Sequence, residues 1–499
     1  MNQKHSYYQL LPKSRMKRTV LLVILLMGLS TGVRPQSLVF STGDRSHNIV
    51  VLSDPHVMAP ELLVNEGTAW TDYLKGQRKL VDYSYRLFDE MVERIKKDLR
   101  PEVVLITGDL TKDGERVSHQ YVTNRLDELR AIGIQTLVIP GNHDRGGNSD
   151  AVYYDGASKT SAEVASDDWF ATQYADYGYG EGSERERTSL TYACEPIAGL
   201  VVIGIDSGRD GRVTETTLDW VVEKASEASA KKKKVIAMMH HPLIPHFTGV
   251  DTYVGTAVVN HYETVRNALA DAGVRVVFTG HFHTSDIAKD WNADLTKEIY
   301  DVNTGALVSY PCDYREVSMN SDLSEMTITT GHISGLPDVG GFSAVAKERL
   351  ITAMQTQIAA RGIPYSLIAP MAAQAFVIHA EGNEAENEST ATTLSTLVSA
   401  ADLGKTVLGE AKAKTLVDMA NSMLQDKSQY GTERENQTDD LTLSIGLSGA
   451  TGILDVQSRS DSISGGVYSL SGVQVSTPRK GIYIFRNGKK LSTGVRPRH

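Results

Sequence analysis

Five short motifs of Asp, Asn and His constrain this chain most, because each one closely follows a run of apolar residues. The motifs are Asp54-Pro55-His56, Gly108-Asp109, Gly141-Asn142-His143-Asp144, His240-His241 and Gly280-His281-Phe282-His283. The runs before them, such as Val103–Thr107 and Val235–Met239, are typical of buried strands, and amphipathic segments such as Leu80–Leu99 indicate helices between them. Continuous apolar strands that alternate with helices predict the α/β class, with a sheet covered on both faces.

Loops after the carboxyl ends of neighbouring strands meet in one crevice of such a sheet, so we expect the motifs to form one site. They supply oxygen and imidazole donors and no thiolate, which suits two divalent ions such as Mn, Fe or Zn. More ligands are present than a four-coordinate site can use, and the carboxylate of Asp109 could bridge two ions. Taken singly, each residue could instead be a helix cap, a turn residue or a buried histidine. The candidate ligands are Asp54, His56, Asp109, Asn142, His240, His281 and His283.

The ordered set resembles the calcineurin-like metallophosphoesterase superfamily, whose pattern is D-x-H, G-D, G-N-H-[DE], H and G-H-x-H. All five blocks are present, and the resemblance covers roughly residues 48–335. It implies a β-sandwich flanked by helices, and it favours His240 over His241 as the ligand of the fourth motif. It also implies that His143 protonates the leaving oxygen, oriented by Asp144, while a metal-bridging hydroxide attacks phosphorus. One ion would be held by Asp54, His56, Asp109 and His283, and the other by Asp109, Asn142, His240 and His281.

The substrate class is less constrained than the metal site. The block from Gly108 to His119 is similar to bacterial cyclic-nucleotide phosphodiesterase-like members, which favours phosphodiesters such as cyclic nucleotides. Phosphomonoesters, including phosphoproteins, are the alternative, and a non-catalytic surface binding scaffold is a third interpretation that the complete ligand set disfavours. Lys112 stands where purple acid phosphatases have a tyrosine ligand, so no purple chromophore is expected.

Charged residues beside the motifs suggest further contacts. Arg145 follows the third motif and is the candidate for pairing with a phosphate oxygen. His241 and His246 could contact phosphate or could be loop histidines without a role. The formal net charge of −10 argues against a nucleic-acid polymer as partner.

Both ends of the chain resemble targeting segments. Residues 1–32 have a basic flank, a short apolar run at Val20–Leu29 and small residues after it, the pattern of a signal peptide, with a permanent membrane anchor as the alternative. The tail, at Val467–Val475 and Lys480–Lys490, resembles the sorting domain of the type IX secretion system, which implies export machinery as a partner. We therefore expect an exported protein at the cell surface or outside the cell, with the periplasm as the alternative. Export would permit a disulfide between the two cysteines, Cys194 and Cys312, without requiring it.

The expected organisation has four parts. A signal peptide occupies residues 1–32, a metallophosphoesterase domain residues 41–335, a helical module residues 342–428 and a β-rich tail residues 441–499. The stretch from Asn148 to Glu186 is polar and rich in Gly and Tyr, and it is interpreted as an insertion or a long loop.

Overall fold

The computed structural model describes residues 46–146, 150–247, 250, 257–360 and 363–382, shorter stretches between 384 and 424, residues 441–447, and strands between 467 and 495. The expected signal peptide lies outside these residues, as do most of the expected sorting tail and most of residues 407–424 of the expected helical module. In chain order the strands are β1 His47–Leu52, β2 Leu63–Asn65, β3 Val103–Ile106, β4 Gln135–Val138, β5 Val152–Asp155, β6 Ser158–Ser161, β7 Ser183–Arg185, β8 Tyr192–Ile197, β9 Leu200–Ile205, β10 Lys234–Met239, β11 Val276–Thr279, β12 Asp286–Trp291, β13 Glu298–Asn303, β14 Asp313–Met319, β15 Glu325–His332, β16 Thr442–Gly446, β17 Val467–Tyr468, β18 Ile482–Asn487 and β19 Lys490–Val495. The α-helices are α1 Thr68–Leu74, α2 Ser84–Arg94, α3 Arg116–Ala131, α4 Asp167–Gln173, α5 Glu215–Ala230, α6 Tyr262–Ala272, α7 Phe342–Ala359 and α8 Ile363–Glu381.

Two mixed sheets form the centre of the fold. The first has the strand order β16-β15-β14-β1-β3-β4, and the second has the order β12-β13-β11-β10-β9-β8-β7. Strands β1, β3 and β4 are parallel neighbours in the first sheet, and β9, β10, β11 and β13 are parallel neighbours in the second. The expected α/β class is confirmed. The site motifs, however, follow strands of two sheets: three motifs come after β1, β3 and β4, and two come after β10 and β11.

Strand β10 shows how the sheets divide the apolar side chains. Ile236 and Met238 join Leu105 of the first sheet in a core that both sheets share. Ala237, on the opposite face of β10, packs in a separate cluster with Val221 of α5. This alternation has the two-residue period of a strand, and it produces a β-sandwich with helices on its outer faces. Because both sheets bury their inner faces, the loops at their ends are held in fixed positions.

The polar stretch from Asn148 to Glu186 is not a long loop. In its described part, β5 and β6 form an antiparallel hairpin that pairs with β2, and β7 is the edge strand of the second sheet. Helix α4 begins at the cap residue Ser166, whose hydroxyl accepts a hydrogen bond from the Trp169 backbone. The sequence pattern missed β6 because all four of its side chains are exposed, so no apolar alternation marks it.

The first residues of the expected β-rich tail belong to the main domain and not to a separate module. Residues Thr442–Gly446 form β16, which pairs antiparallel with β15 and becomes an edge strand of the first sheet. Leu443 and Ile445 point into the shared core, which explains why this short segment docks there. The later strands β17, β18 and β19 form a separate antiparallel sheet. A sorting role for that sheet stays a prediction.

The helical part of the chain begins with α7 and α8, which pack against each other through residues such as Leu350, Met354 and Val377. Phe342, the first residue of α7, is buried in the core of the sandwich. The guanidinium of Arg349 forms two hydrogen bonds with the carboxylate of Asp82, which ties α7 to the segment before α2. Among the residues that the structure describes, no helix is long and apolar enough to cross a membrane.

Candidate metal centre and active site

The backbone of the motif loops is strained at five of the seven candidate ligands. The φ angles are positive at these residues, with values of 50° at Asp54, 38° at His56, 50° at Asp109, 72° at His281 and 66° at His283. A non-glycine residue in this region costs about 1 kcal/mol or more, and such residues cluster at functional sites. Strained backbone is therefore concentrated in the loops that carry the candidate ligands.

Two motif glycines permit the loops to approach each other closely. A Cβ atom at Gly280 would lie 1.8 Å from the hydroxyl of Ser53, and one at Gly141 would lie 2.2 Å from a carboxylate oxygen of Asp109. The loops also pair through their backbones, because the Asp54 amide donates to the Gly108 carbonyl and the His56 amide donates to the Asp109 carbonyl. These two positions therefore require glycine, because a side chain there would collide with the neighbouring ligand loop.

Asp54, His56 and His283 form the first group of donors. The Nε2 atom of His283 lies 3.2 Å from Oδ1 of Asp54 and 3.2 Å from Nε2 of His56. Oδ2 of Asp54 accepts hydrogen bonds from the Ser53 hydroxyl and from the His281 amide, whereas the buried Oδ1 has no hydrogen bond of acceptable geometry within the described chain. A buried carboxylate oxygen beside two imidazole nitrogens is a suitable place for a cation.

Asp109, Asn142, His240 and His281 form the second group. Nε2 of His240 lies 3.3 Å from Oδ2 of Asp109, 3.0 Å from the side-chain oxygen of Asn142 and 3.3 Å from Nδ1 of His281. The other ring nitrogen of His240 donates to the carbonyl of Thr107, which keeps Nε2 directed at the group. The same Oδ2 of Asp109 is 3.5 Å from His56, so Asp109 lies between the two groups.

Burial and charge set the protonation of these ligands. Burial lowers the pKa of His281 to about 3 and the pKa of His283 to about 4, so both rings are neutral at pH 7. Burial opposes the charge of His240 as well, but the carboxylate of Asp109 outweighs it and raises the pKa to about 9. Without another cation, the carboxylate thus holds a proton on His240, and a divalent ion would take the place of that proton. The donor set, with an Asp54 oxygen that accepts no hydrogen bond from the described residues, fits two such ions, and the residues of the expected ligand set are brought together.

His143 lies beside this centre, but Asp144 does not orient it as expected. Nδ1 of His143 is 2.9 Å from a carboxylate oxygen of Asp113 and 2.8 Å from the carbonyl of Lys112. The two oxygens of Asp144 instead accept hydrogen bonds from backbone and hydroxyl donors of the neighbouring loops, namely Leu110 N, Thr111 N, Thr111 Oγ1 and Gly141 N. Asp144 fixes the loops to each other, and Asp113 is the carboxylate that holds the imidazole. In the sequence, this role of Asp113 was indicated only by its position four residues after Asp109.

Two cations that the sequence analysis did not single out, Arg78 and Lys79, line the same cavity. Burial lowers the pKa of both side chains. The carboxylate of Asp54 opposes this shift at Arg78. The carboxylates of Asp113 and Asp109 oppose it at Lys79. Neither side chain has an ion-pair partner among the described residues, so both charges are available to an anion. No motif marks the segment between α1 and α2 that carries them.

Arg145 and the remaining candidates lie elsewhere. The guanidinium of Arg145 is paired with Asp206 at 2.8 and 3.1 Å and with Asp167 at 3.2 Å, so the expected phosphate contact is wrong. His246 is buried between Asp286 and Asp301, which makes it a structural ion-pair residue.

Two other side chains near the motifs, those of His241 and Lys112, also have structural partners. Nδ1 of His241 is hydrogen-bonded to the hydroxyl of Ser207, outside both donor groups. Lys112 is buried in contact with Asp113 and Glu115. Cys194 and Cys312 are both buried and unpaired.

The cavity above the ligands has a volume of about 260 Å³. Asp109, Asn142, His143, His281 and His283 form one part of its lining, and residues 77–79 form another. The helical module supplies Gln357, Phe376 and His379. The stretch from Asn148 to Glu186, an insertion that could have walled the site, contributes none of the described lining residues.

Comparison with known proteins identifies similar sequences. Residues 47–285 match the family described as calcineurin-like phosphoesterase. A probable cyclic nucleotide phosphodiesterase from Synechococcus is 26% identical over 195 residues, which are 38% of this chain and 61% of that protein. A cAMP/cGMP dual specificity phosphodiesterase from Mycobacterium tuberculosis is 24% identical over 223 residues, 43% of this chain and 60% of that protein. The match thus spans about 60% of the length of these relatives. Among solved structures, a dimetal phosphatase from Danio rerio has a TM-score of 0.40 and 13% identity, over 57% of this chain and 96% of that chain.

Proposed function

We propose that this chain, whose residues 47–285 form a calcineurin-like phosphoesterase domain, is a metal-dependent hydrolase of phosphate esters that acts mainly on phosphodiesters. The observation that carries the proposal is the convergence of seven nitrogen and oxygen donors in two adjoining groups with Asp109 between them. The curated relatives are named as cyclic nucleotide phosphodiesterases, which supports diesters as the substrate class.

The residues of the chain have separable tasks in this reaction. Two divalent ions held by the two groups would supply Lewis acidity and an activated water molecule. Arg78 and Lys79 would bind phosphate oxygens and hold the ester in the cavity. Because Nδ1 of His143 is held by Asp113, the proton that His143 passes to the leaving oxygen would be carried on Nε2.

Phosphomonoesters are the second candidate, and one observation favours them. Arg78 and Lys79 add two positive charges beside the metal ligands, which matches the second negative charge of a monoester at neutral pH.

We also propose that the protein is exported, because the amino-terminal segment has the pattern of a signal peptide and the tail resembles a sorting domain. Amino-terminal sequencing of the mature protein, with fractionation of the cells that make it, tests this proposal. A mature chain that starts after residue 32, outside the cytoplasm, is the expected result. A full-length chain in the cytoplasm would overturn it.

The decisive experiment uses the full chain, stripped of metal and reloaded with Mn²⁺. Hydrolysis of bis(p-nitrophenyl) phosphate is compared with that of p-nitrophenyl phosphate, with Asp109→Asn as the test variant. Asp98→Asn is the matched control, because it makes the same change at an exposed position. We expect Mn²⁺-dependent turnover that Asp109→Asn lowers at least about 100-fold and Asp98→Asn leaves unchanged. The ratio of the two esters decides between diester and monoester. A folded, metal-loaded protein that hydrolyses neither ester would overturn the proposal in favour of a binding scaffold.

A further inference from the structure

The helical module forms one wall of the cavity above the metal ligands. Gln357 comes from α7, and Phe376 and His379 come from α8. Phe376 is only partly buried although it sits between the buried residues Ala375 and Val377. Its ring therefore lies at the boundary between the protein core and the open cavity.

Helix α8 is fastened to the loop that carries two of the candidate ligands. Nδ1 of His379 donates to Glu384 at 2.7 Å, and its Nε2 lies 3.4 Å from the hydroxyl of Thr284, the residue after His283. Phe282, between His281 and His283, is buried in a cluster with Ala375 and Ile378 of α8. The position of α8 over the ligands is therefore set by contacts with the ligand loop itself.

The two sides of the cavity have opposite chemical character. One side holds the metal ligands with Arg78 and Lys79, which suits a phosphate group. The other side is aromatic: the rings of Phe247 and Phe282 lie 6.2 Å apart, and Phe376 packs against their cluster. A molecule that fits both sides has a phosphate at one end and a flat apolar group at the other.

We propose that Phe376 of α8, together with Phe247, forms a subsite that receives the aromatic organic group of the phosphate ester, so that the helical module sets the substrate preference. The inference rests on the proposed function, since the ester can reach the subsite only with its phosphate at the metal ligands. The occupant is an aryl or nucleobase-like ring, because the charged side fixes the phosphate and leaves the aromatic side for the rest of the molecule.

The test is binding of two non-hydrolysable probes to the full-length, Mn²⁺-loaded protein, measured by calorimetry. Phenylphosphonate and methylphosphonate carry the same charged group and differ in the ring. We expect the protein to bind phenylphosphonate about tenfold more tightly, as an aromatic contact supplies. Phe376→Ala should reduce that preference to below about twofold while leaving the affinity for methylphosphonate and the metal content unchanged. Phe376→Tyr, which keeps the ring, should retain the preference.

Two further variants keep the result interpretable. Phe376→Leu retains an apolar side chain and serves if Phe376→Ala does not fold, and it should also lose the preference. Lys347→Gln is the matched control, because it breaks the contact of Lys347 with Glu381 in the same module outside the cavity lining, and it should keep the preference.

The outcomes separate this proposal from the proposed function. Equal affinity for both probes in the unmodified protein, or binding of neither, overturns the subsite even if the esters are hydrolysed. Equal weakening of both probes by Phe376→Ala and Phe376→Leu also overturns it, since that result shows a structural role only. A preference for phenylphosphonate that depends on Phe376, in a protein that hydrolyses no ester, supports the subsite and overturns the proposed function.

Discussion

The ligand loops and the α8 wall face the same cavity, but they are held in place by different physical means. The loops rely on strained backbone, motif glycines and hydrogen bonds between loops, as at Asp54 and Gly280. The wall relies on apolar packing around Phe282 and on a few polar contacts of His379. A site can thus combine a centre that tolerates little change with a wall that can be altered residue by residue.

Histidines of the two regions differ in the direction in which their surroundings shift the pKa. Burial lowers the pKa of His281 and His283 well below the usual value, so these rings stay neutral and can bind metal. Burial also opposes the charge of His379, but Glu384 and Asp286 outweigh it and raise its pKa. The balance between burial and neighbouring carboxylates therefore sets the charge of each histidine, and it also raises the pKa of the candidate ligand His240 through Asp109.

The largest effect is expected from a change in the ligand loops. In Gly280→Ala, the new Cβ would lie 1.8 Å from the Ser53 hydroxyl and 2.5 Å from Oδ2 of Asp54, so the loop has to move and takes His281 with it. We expect turnover to fall at least about 100-fold, because shifts of about 1 Å can have that effect. Metal content by elemental analysis should fall in parallel.

Gly335→Ala is the control for this change, because a Cβ at Gly335 meets nothing within 4 Å. Normal metal content and normal turnover in Gly280→Ala would show that the loops are less rigid than their contacts indicate.

A smaller and selective loss is expected from His143→Gln. If His143 protonates the leaving oxygen, its removal matters most for a basic leaving group, where general acid catalysis contributes about 10²–10⁴-fold. Turnover of methyl phenyl phosphate should fall about 100-fold, and that of methyl p-nitrophenyl phosphate should fall much less, because p-nitrophenolate leaves without help. Asp113→Asn should follow the same order with smaller losses. Equal losses on both esters would contradict the assignment.

The cations at the edge of the cavity should have an intermediate effect. Lys79→Met removes a charge from the lining of the cavity. We expect kcat/KM for p-nitrophenyl phosphate to fall about tenfold, close to the lower limit for a hydrogen bond to a charged group. Lys75→Met is the matched control, since Lys75 is exposed and paired with Asp72. The same loss for both variants would mean that Lys79 acts only through general charge.

The smallest effect is expected in the wall and depends on pH. A histidine whose folded-state pKa is raised stabilises the fold below its ordinary pKa of 6.5, and this contribution is lost as the pH rises through the raised value. Glu384→Gln should therefore lower the melting temperature by about 1–3 °C at pH 6 and by less at pH 9. Asp286 also raises the pKa of His379, whereas His246 lowers it, so the part of the contribution that comes from Asp286 remains in the variant.

Glu381→Gln is the control for the wall, because Glu381 ends α8 and pairs with Lys347 instead of with a histidine. The difference in melting temperature between this variant and the unmodified protein should be the same at both pH values. A pH-independent effect of Glu384→Gln would show that its contact with His379 is neutral.

The sequence predicted the ligand loops well because their chemistry is local. Each motif follows a strand whose apolar run is visible in the sequence. The ends of these strands meet at one site although the strands belong to two sheets. The role of Asp144 was mistaken because the direction of its carboxylate depends on the amides of a loop more than thirty residues away, at Leu110 and Thr111. Arg145 was misjudged for the same reason, since its partner Asp206 comes from beyond β9.

The sequence by itself determined the α/β class and the donors that gather at the strand ends, and it predicted a site suited to divalent cations, because these follow from residue type and short-range spacing. Only the tertiary structure decided that Asp113 holds His143, that Arg78 and Lys79 line the cavity with the ligands and that Phe376 of α8 forms part of its wall. Those residues carry no motif. Their roles arise from contacts between segments far apart in the chain, which no local pattern of polarity encodes.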